Sequence, residues 1–570
     1  MDFRVFSRNI SENMHARCVR EDTKQALKGI LQADGVQSRQ TLFVRYCLKA
    51  APHEAMKPVS CGGFSTIVQY IKRKDVFFML NALSEELNWT NTENGALAYH
   101  DTGDACLNLF STAGALREAS AKRLNDMFLA AYAENPVYAM RILFYQRDTR
   151  GGLGERSVFR HLLQYAATIY PESVRKNLQW IPEYGRFDDC MVLLNTPCEP
   201  ELIQLIQKQL QQDRQDMLEE KPISLLAKWL PSVHTSNQNV CRQAKLLCKR
   251  LHLSEKAYRK MLSQLRTYAD VLEKRLCRKD YTFDYAKLPS RALYKYQKAF
   301  CKHDRQRYSE FLERAEQEKG LLKAGQLFPY EIVRDCIELE ENAMFYDDIA
   351  QKQRILDVTW KSLPDYMPEQ NAIAVVDGSG SMYWNYSGDV MPIHVAVSLG
   401  IYCAERNEGY FHNHFITFSD NPRLIALKGE DIFQKVEHCM SYNEVSNTDL
   451  EKVFRLILQS AVQHHVPPEE LPKVIYVISD MEFDEQSGNG VTIFQQMKQE
   501  YQAAGYQLPA VVYWNVCSRN RQFPVKKDDT GAVLVSGCSP FTFQSAVCMT
   551  TPEKYMQQVL EGERYCRISA

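Results

Sequence analysis

Asn371-Ala372-Ile373-Ala374-Val375-Val376-Asp377-Gly378-Ser379-Gly380-Ser381 decides how the second half of this chain is read. The apolar run has the length and β-branched content of a strand buried on both faces. It ends in Asp-x-Ser-x-Ser, which puts one carboxylate and two hydroxyls on a single turn. Glycine at 378 and 380 lets the backbone make that turn. Oxygen donors so grouped suit a hard cation. The pattern alone is weak, because small polar residues are frequent in turns and at helix N-caps. Two further donors strengthen it. Thr448 lies in Ser446-Asn447-Thr448-Asp449, before a helical stretch. Asp480 ends a second apolar strand, Val474-Ile475-Tyr476-Val477-Ile478-Ser479. Three strand-end loops thus offer oxygen at the edge where open α/β sheets bind ligands.

The set Asp377, Ser379, Ser381, Thr448 and Asp480 resembles the metal-ion-dependent adhesion site of von Willebrand factor A domains. The resemblance implies a Rossmann-like α/β fold with a mostly parallel sheet for residues 371–570. It implies Mg2+, or another divalent cation, at those five residues. Ser379 and Ser381 would bind the ion directly, Asp377 and Asp480 through waters, and Thr448 in either way. One position would stay open for a carboxylate from a protein partner. Mg2+ suits such a site because it keeps waters and needs few protein ligands. No general base stands out beside it. Glu482 and Asp484 are close in sequence, and the plain reading of that pair is a solvated loop.

The chain has 570 residues, a formal net charge of −1, 45% hydrophobic and 24% charged residues. That composition suits a soluble globular protein of roughly two to four domains and gives no global argument for nucleic acid or membrane. No apolar run reaches the length of a membrane-spanning helix. The first residues lack the apolar core of a signal peptide. The 17 cysteines are odd in number and scattered without Cys-x-x-Cys, which predicts reduced thiols in a cytoplasm rather than a disulfide framework or a zinc site.

Two periodicities divide the chain. From about 125 to 353 the pattern is helical, with segments at 172–180, 202–217, 237–251 and 254–276. From 371 onward, short apolar strands alternate with helices, the signature of a parallel sheet covered on both faces. Helices are expected at 390–406, 448–464 (with Asn447 as a cap), 491–504 and 551–560. Strands are expected at 413–419, 423–427, 473–479, 509–514 and 532–536. The Pro-containing stretch 362–370 reads as the linker between separable domains. The expected organisation is an unassigned helical extension at 1–90, a helical domain at 91–361 and the α/β domain at 371–570. Ile67 to Leu87 reads as helical and Asn91 to Asp104 as a loop.

Neutrality overall hides a local imbalance. Between Arg242 and Arg307 there are 19 Lys and Arg against 6 Asp and Glu. Lys256, Arg259 and Lys260, then Lys295, Lys298 and Lys302, recur at helical spacing and share a face. Such a face attracts phosphate backbone, and the interleaved Tyr258, Tyr268, Tyr294, Tyr296, Phe300 and Tyr308 could stack on bases. The alternative is an amphipathic helix with a basic solvent face and an aromatic core face. A second anion candidate is the glycine loop from Arg150 to Arg156, whose backbone N–H groups precede a helix. It lacks a P-loop ending, so ATP is not indicated. The alternative there is an inter-helical turn. Arg186-Phe187-Asp188-Asp189 suggests an internal Arg–Asp contact. His464-His465 reads as a helix end rather than a ligand pair.

Asn94-Gly95-Ala96, Thr102-Gly103-Asp104, Arg150-Gly151-Gly152-Leu153-Gly154-Glu155-Arg156, Gly185-Arg186-Phe187-Asp188-Asp189, Lys228-Trp229-Leu230-Pro231-Ser232 and the two metal motifs together resemble a family labelled only as a domain of unknown function (2828 type). In architecture that family is similar to Ro autoantigen proteins. These join a helical-repeat TROVE module, HEAT-like in its stacked helices, to a von Willebrand A domain. The similarity implies a non-catalytic scaffold that binds structured or misfolded small RNA through its helices. The resemblance carries over no residue-level contacts; the charge pattern and the glycine loop make Arg259, Lys260, Lys295, Lys298, Lys302, Arg150 and Arg156 the candidate RNA contacts. The alternatives are a protein-only adaptor and a metal-dependent hydrolase.

Overall fold

The computed structural model describes residues 88–342, 348–384, 390–442, 448–485, 490–546 and 551–570. The expected helix at 67–87, residues 385–389 after the Asp-x-Ser-x-Ser turn and the proposed cap Asn447 lie outside these residues. Residues 90–570 form one compact unit.

The α/β half follows the sequence reading closely. Six strands, β3 (Ala372–Asp377), β4 (His414–Phe418), β5 (Leu424–Ala426), β6 (Val474–Ser479), β7 (Ala510–Asn515) and β8 (Ala532–Ser536), form one sheet in the order β5-β4-β3-β6-β7-β8. All neighbours are parallel except the edge pair β4–β5, joined through the turn at 420–422. Every residue of β3 and β6 is buried, as expected for central strands covered on both faces. The chain leaves β3 and β6 at their carboxyl ends side by side, where Val376 pairs with Ile478. This crevice receives both Asp377 and Asp480. The helix at 450–464 is capped by Asp449, whose side chain accepts the Lys452 N–H, and ends on His465 in the left-handed conformation.

The two sheet faces bury different partners. Ile373, Val375, Ile475, Val477 and Tyr513 join a core with helix residues Val453, Phe454, Phe494 and Met497. Ala372, Ala374, Val376, Tyr476 and Trp514 point the other way. They belong to a continuous core that runs from Cys106 through the N-terminal helices to Ile568. Helix α1 (Ala105–Thr112) packs on β8, and the helix at 329–341 packs on the helix at 392–406, which lies on β3. The approach is close: a Cβ on Gly114 would stand 2.6 Å from the Ser536 carbonyl oxygen, and one on Gly400 would stand 2.4 Å from Val376 Cγ2. The C-terminal residues return to the helical half, where the Asn177 side chain donates to the Ser569 carbonyl at 2.5 Å and Arg564 Nη2 donates to Asp148 at 2.7 Å. Element type does change at 362–370, but the hydrophobic core does not divide there. Leu363 is buried, and the Tyr402 hydroxyl donates to the Pro364 carbonyl at 2.7 Å.

The helical half holds its predicted segments with two differences. The stretch read as one helix over 254–276 is two, α2 (Glu255–Tyr268) and Leu272–Cys277, because Asp270 adopts a left-handed φ of 49°. Residues 91–104 are not only loop: β1 (Trp89–Asn91) and β2 (Leu97–Tyr99) make a small ribbon. It bridges to the large sheet's loops at Gly95–Asp484 and Tyr99–Phe523. No described helix is long and apolar enough to cross a membrane.

Candidate metal and partner site

Asp377 closes β3 with no solvent exposure. Its carboxylate accepts the Ser379 N–H at 2.9 Å and the Ser479 hydroxyl at 2.6 Å. Ser479 ends β6, so one hydrogen bond ties the loop after β3 to the end of β6. The hydroxyls of Ser379 and Ser381 lie 3.1 Å apart. Asp480 follows Ser479 and is also buried. Burial, and next the like charge of Asp480, push Asp377 up to about 7. Both effects penalise the ionised form.

Thr448 does not lie on a strand-end loop as the sequence suggested, because it stands between the helices Ile432–Met440 and Leu450–His464, but it is held to the loop after β6. Its hydroxyl donates to the Glu482 carbonyl at 2.7 Å, and the Asp484 N–H donates to the Thr448 carbonyl at 3.0 Å. With the hydroxyl proton directed at a carbonyl, the lone pairs of Thr448 Oγ1 remain for other partners. Met481 supports this bend with a left-handed φ of 68°, a cost accepted by a buried side chain. The five residues fit a divalent cation on the chemistry of their donors. All are oxygen, two are carboxylates crowded in a buried site, and a cation would offset that crowding.

Glu482 corrects the solvated-loop reading. It is 2% exposed, accepts the Glu93 N–H at 2.8 Å and the Asn520 amide at 3.0 Å, and burial raises its pKa. These bonds hold it as an anchor for neighbouring loops. Asp484 is half-buried.

Several residues at this edge carried no functional reading in the sequence. Arg519, in the loop after β7, donates to Asp480 at 2.7 Å and to Glu93 at 2.9 Å. One positive charge therefore already faces Asp480. Asn94 Nδ2 donates to the Glu482 carbonyl at 2.8 Å and to Thr448 Oγ1 at 3.3 Å, and the Asn94 carbonyl accepts the Glu485 N–H at 3.0 Å. The motif Asn94-Gly95-Ala96 was a visible signal for this loop. Arg519 had none.

The basic segment is resolved residue by residue. Lys256, Arg259 and Lys260 on α2 are exposed, as are Lys295, Lys298 and Lys302 on α3 (Ser290–His303). Three of the six aromatics do not share that surface, whereas Tyr268 is exposed and Tyr294 and Tyr296 are half-buried. Tyr258, Phe300 and Tyr308 are at most 1% exposed, and Phe300 packs against Tyr285 and Tyr308 with ring centroids 5.1 and 5.4 Å away. These three belong to the core, so base stacking on them is ruled out, and the amphipathic-helix reading holds for them. Arg266 also faces inward: it donates to the Ala227 and Leu230 carbonyls and to Ser232 at 2.7–2.9 Å.

The glycine loop is an inter-helical turn that uses several of its N–H groups internally. Leu153, Gly154 and Glu155 donate to the Tyr145, Asp148 and Gln146 carbonyls at 3.1, 3.0 and 2.8 Å. A Cβ on Gly152 would stand 2.2 Å from the Tyr145 carbonyl oxygen. Arg150 donates to the Glu183 carbonyl at 2.9 Å, and Arg156 to Asp188 at 2.8 Å.

Residues 92–195 and 201–373 match the model of a domain of unknown function, DUF2828, and residues 371–557 match that of a second, DUF7788. A protein of Acanthamoeba polyphaga mimivirus described as uncharacterized protein L728 is 28% identical over 509 residues, spanning 82% of this chain and 86% of that one. Among solved structures, the crystal structure of the Deinococcus radiodurans RO (RSR) protein matches 79% of this chain and 92% of its own, at 12% identity and a TM-score of 0.36.

Proposed function

We propose that this chain, a DUF2828 region followed by a DUF7788 region, is a non-catalytic binding protein that takes a protein partner through a divalent cation. The observation that carries this reading is the pairing of Asp377 with Ser479 and Asp480 in a buried crevice at the ends of β3 and β6. Ser379, Ser381 and Thr448 complete the oxygen set. Mg2+ is the ion favoured by few protein ligands and retained waters. When bound, the ion supplies an electron-poor position that accepts a carboxylate from an acidic partner surface. The chain's own residues hold and orient it. Asp377 is fixed by two donors, and Thr448 by Glu482.

The test is calorimetric. Mg2+ titrated into the full chain should release or absorb heat with saturation. Asp377→Ala should remove that heat without changing the far-ultraviolet dichroism. Equal heats from both proteins would sink the assignment.

A second reading, RNA binding by the helical half, is favoured by the exposed lysine face of α3 and the net +13 of residues 242–307. Phosphate contacts made by that face would be electrostatic and salt-dependent.

A further inference from the structure

Three sequence motifs outside the strand-end loops meet at one place. Arg156 comes from the glycine loop, Arg186, Asp188 and Asp189 from the turn at 185–189, and Trp229 from the turn at 228–232. The Arg186 guanidinium lies 4.1 Å over the Trp229 ring. Arg147 and Arg160 join from the flanking helices.

The two carboxylates have different situations. Asp189 is fully buried and well satisfied. It accepts Arg147 Nε at 2.8 Å, Arg160 Nε at 2.6 Å and the Arg186 backbone N–H at 2.9 Å. Gly185 makes room for it, since a Cβ there would stand 2.4 Å from Asp189 Oδ2. Asp188 is over-subscribed. Its Oδ2 alone faces Nη2 of Arg156, Arg160 and Arg186 at 2.8, 2.8 and 2.9 Å. One carboxylate oxygen offers two in-plane lone pairs. Accordingly Arg160 Nη2 is buried yet lacks a hydrogen bond of usable geometry.

The charges do not balance either. Four guanidiniums face two carboxylates, a surplus of two positive charges. Burial, then the repulsion of Arg160 and Arg186, lower the pKa of Arg156. The cluster is reachable: the side chains of Arg156, Arg186 and Arg160 are 48%, 31% and 25% exposed, while Arg147 is 3% exposed. The helix Ser157–Ile169 begins here without a side-chain cap, which adds partial positive charge.

A dianion with several acceptor oxygens meets both the charge surplus and the crowding of three donors on one Asp188 oxygen. We propose that Arg156, Arg160 and Arg186 bind a doubly charged phosphate group, free or as a monoester. Guanidinium forks match phosphate oxygens. A phosphodiester or a carboxylate would offset only one of the two charges. The site shares Arg156 with the RNA reading of the sequence but requires neither RNA nor the metal.

Binding to the full chain should be measured by calorimetry and thermal melting, with inorganic phosphate, AMP, adenosine and a 5′-hydroxyl oligoribonucleotide as probes. Phosphate should raise the melting temperature above chloride at equal ionic strength. Phosphate without AMP binding assigns the free anion, and AMP binding without adenosine binding assigns the ester. Arg156→Gln and Arg186→Gln, which leave Asp188 other partners, should each weaken binding by about tenfold or more. Lys319→Gln, at an exposed lysine outside every candidate site, should leave it unchanged. The proposal falls if phosphate behaves as chloride does, if both arginine variants retain full affinity, or if the 5′-hydroxyl strand displaces phosphate as well as AMP does.

Discussion

The candidate metal-site loops and the basic helices hold their polar side chains in opposite ways. At the loops, Asp377, Thr448, Asp480 and Glu482 are at most 3% exposed, and bonds link residues hundreds of positions apart, such as Asn94 to Glu482. On α2 and α3, Arg259, Lys260, Lys295 and Lys302 are exposed. A buried polar cluster acts as a unit, because each unmet group is costly. An exposed charge face acts as a sum of small, screened contributions. Substitution of the buried carboxylates should therefore be near all-or-none, and substitutions on the helices graded.

The largest expected effect tests whether these regions are one body. The face of the sheet carrying Ala374, Val376, Tyr476 and Trp514 is buried in a core shared with helices from 105 onward. Expressed alone, residues 371–570 would expose that face, although the sequence predicted a separable domain. The fragment should show no cooperative melting, whereas the full chain should melt cooperatively. A sharp transition in the fragment would restore two separable domains.

Next comes the helical face. Lys295, Lys298 and Lys302 replaced by Glu should reduce affinity for structured RNA by orders of magnitude at low salt, and lower the salt slope by about one unit per lost phosphate contact. Mg2+ heats should not change. Filter binding across a salt series decides it. Unchanged RNA binding would move the contact elsewhere, and no binding by the wild type would leave a protein-only adaptor.

A smaller effect distinguishes burial from site chemistry. His394 is 7% exposed on the helix that covers β3. Burial, then the nearby Arg334, lower its pKa from 6.5 to about 4. Between those values the unfolded chain binds the proton and the folded chain does not, so stability is full above pH 6.5 and falls as pH drops toward 4. The total is about 3 kcal/mol. Chemical denaturation of His394→Gln against the wild type should show a flatter pH dependence in that window. Parallel curves would place the acid sensitivity in other groups.

Much of this was legible in the sequence for physical reasons. Strands buried on both faces leave uninterrupted apolar runs, so β3, β6, β7 and β8 could be placed within a residue or two, and the motif fixed which loop follows β3. The shared core was not legible, because 362–370 carries ordinary linker chemistry and the contacts that cross it are long-range. Arg519 was hidden for the same reason: nothing local marks an arginine whose partners, Asp480 and Glu93, are distant in the chain. The aromatics of 242–307 were ambiguous because core and stacking residues share one helical spacing, and only burial separates them.

The smallest effect is the most direct test of how the loops are held. Asn94 reaches the proposed metal site through Thr448 Oγ1 and the Glu482 carbonyl. If it orients Thr448, Asn94→Ala should weaken Mg2+ binding by several-fold, about 1 kcal/mol, the worth of one neutral hydrogen bond. The number of sites should stay the same. Asn94→Asp should behave differently. The Glu482 carbonyl would lose its amide donor, but a carboxylate next to the ion would add attraction, so affinity should recover partly or fully. An Asn94→Ala variant with unchanged affinity would reduce the loop at 92–96 to a structural brace. Equal losses in both variants would say that donation to the carbonyl, rather than charge or the position of Thr448, is what the site needs from Asn94.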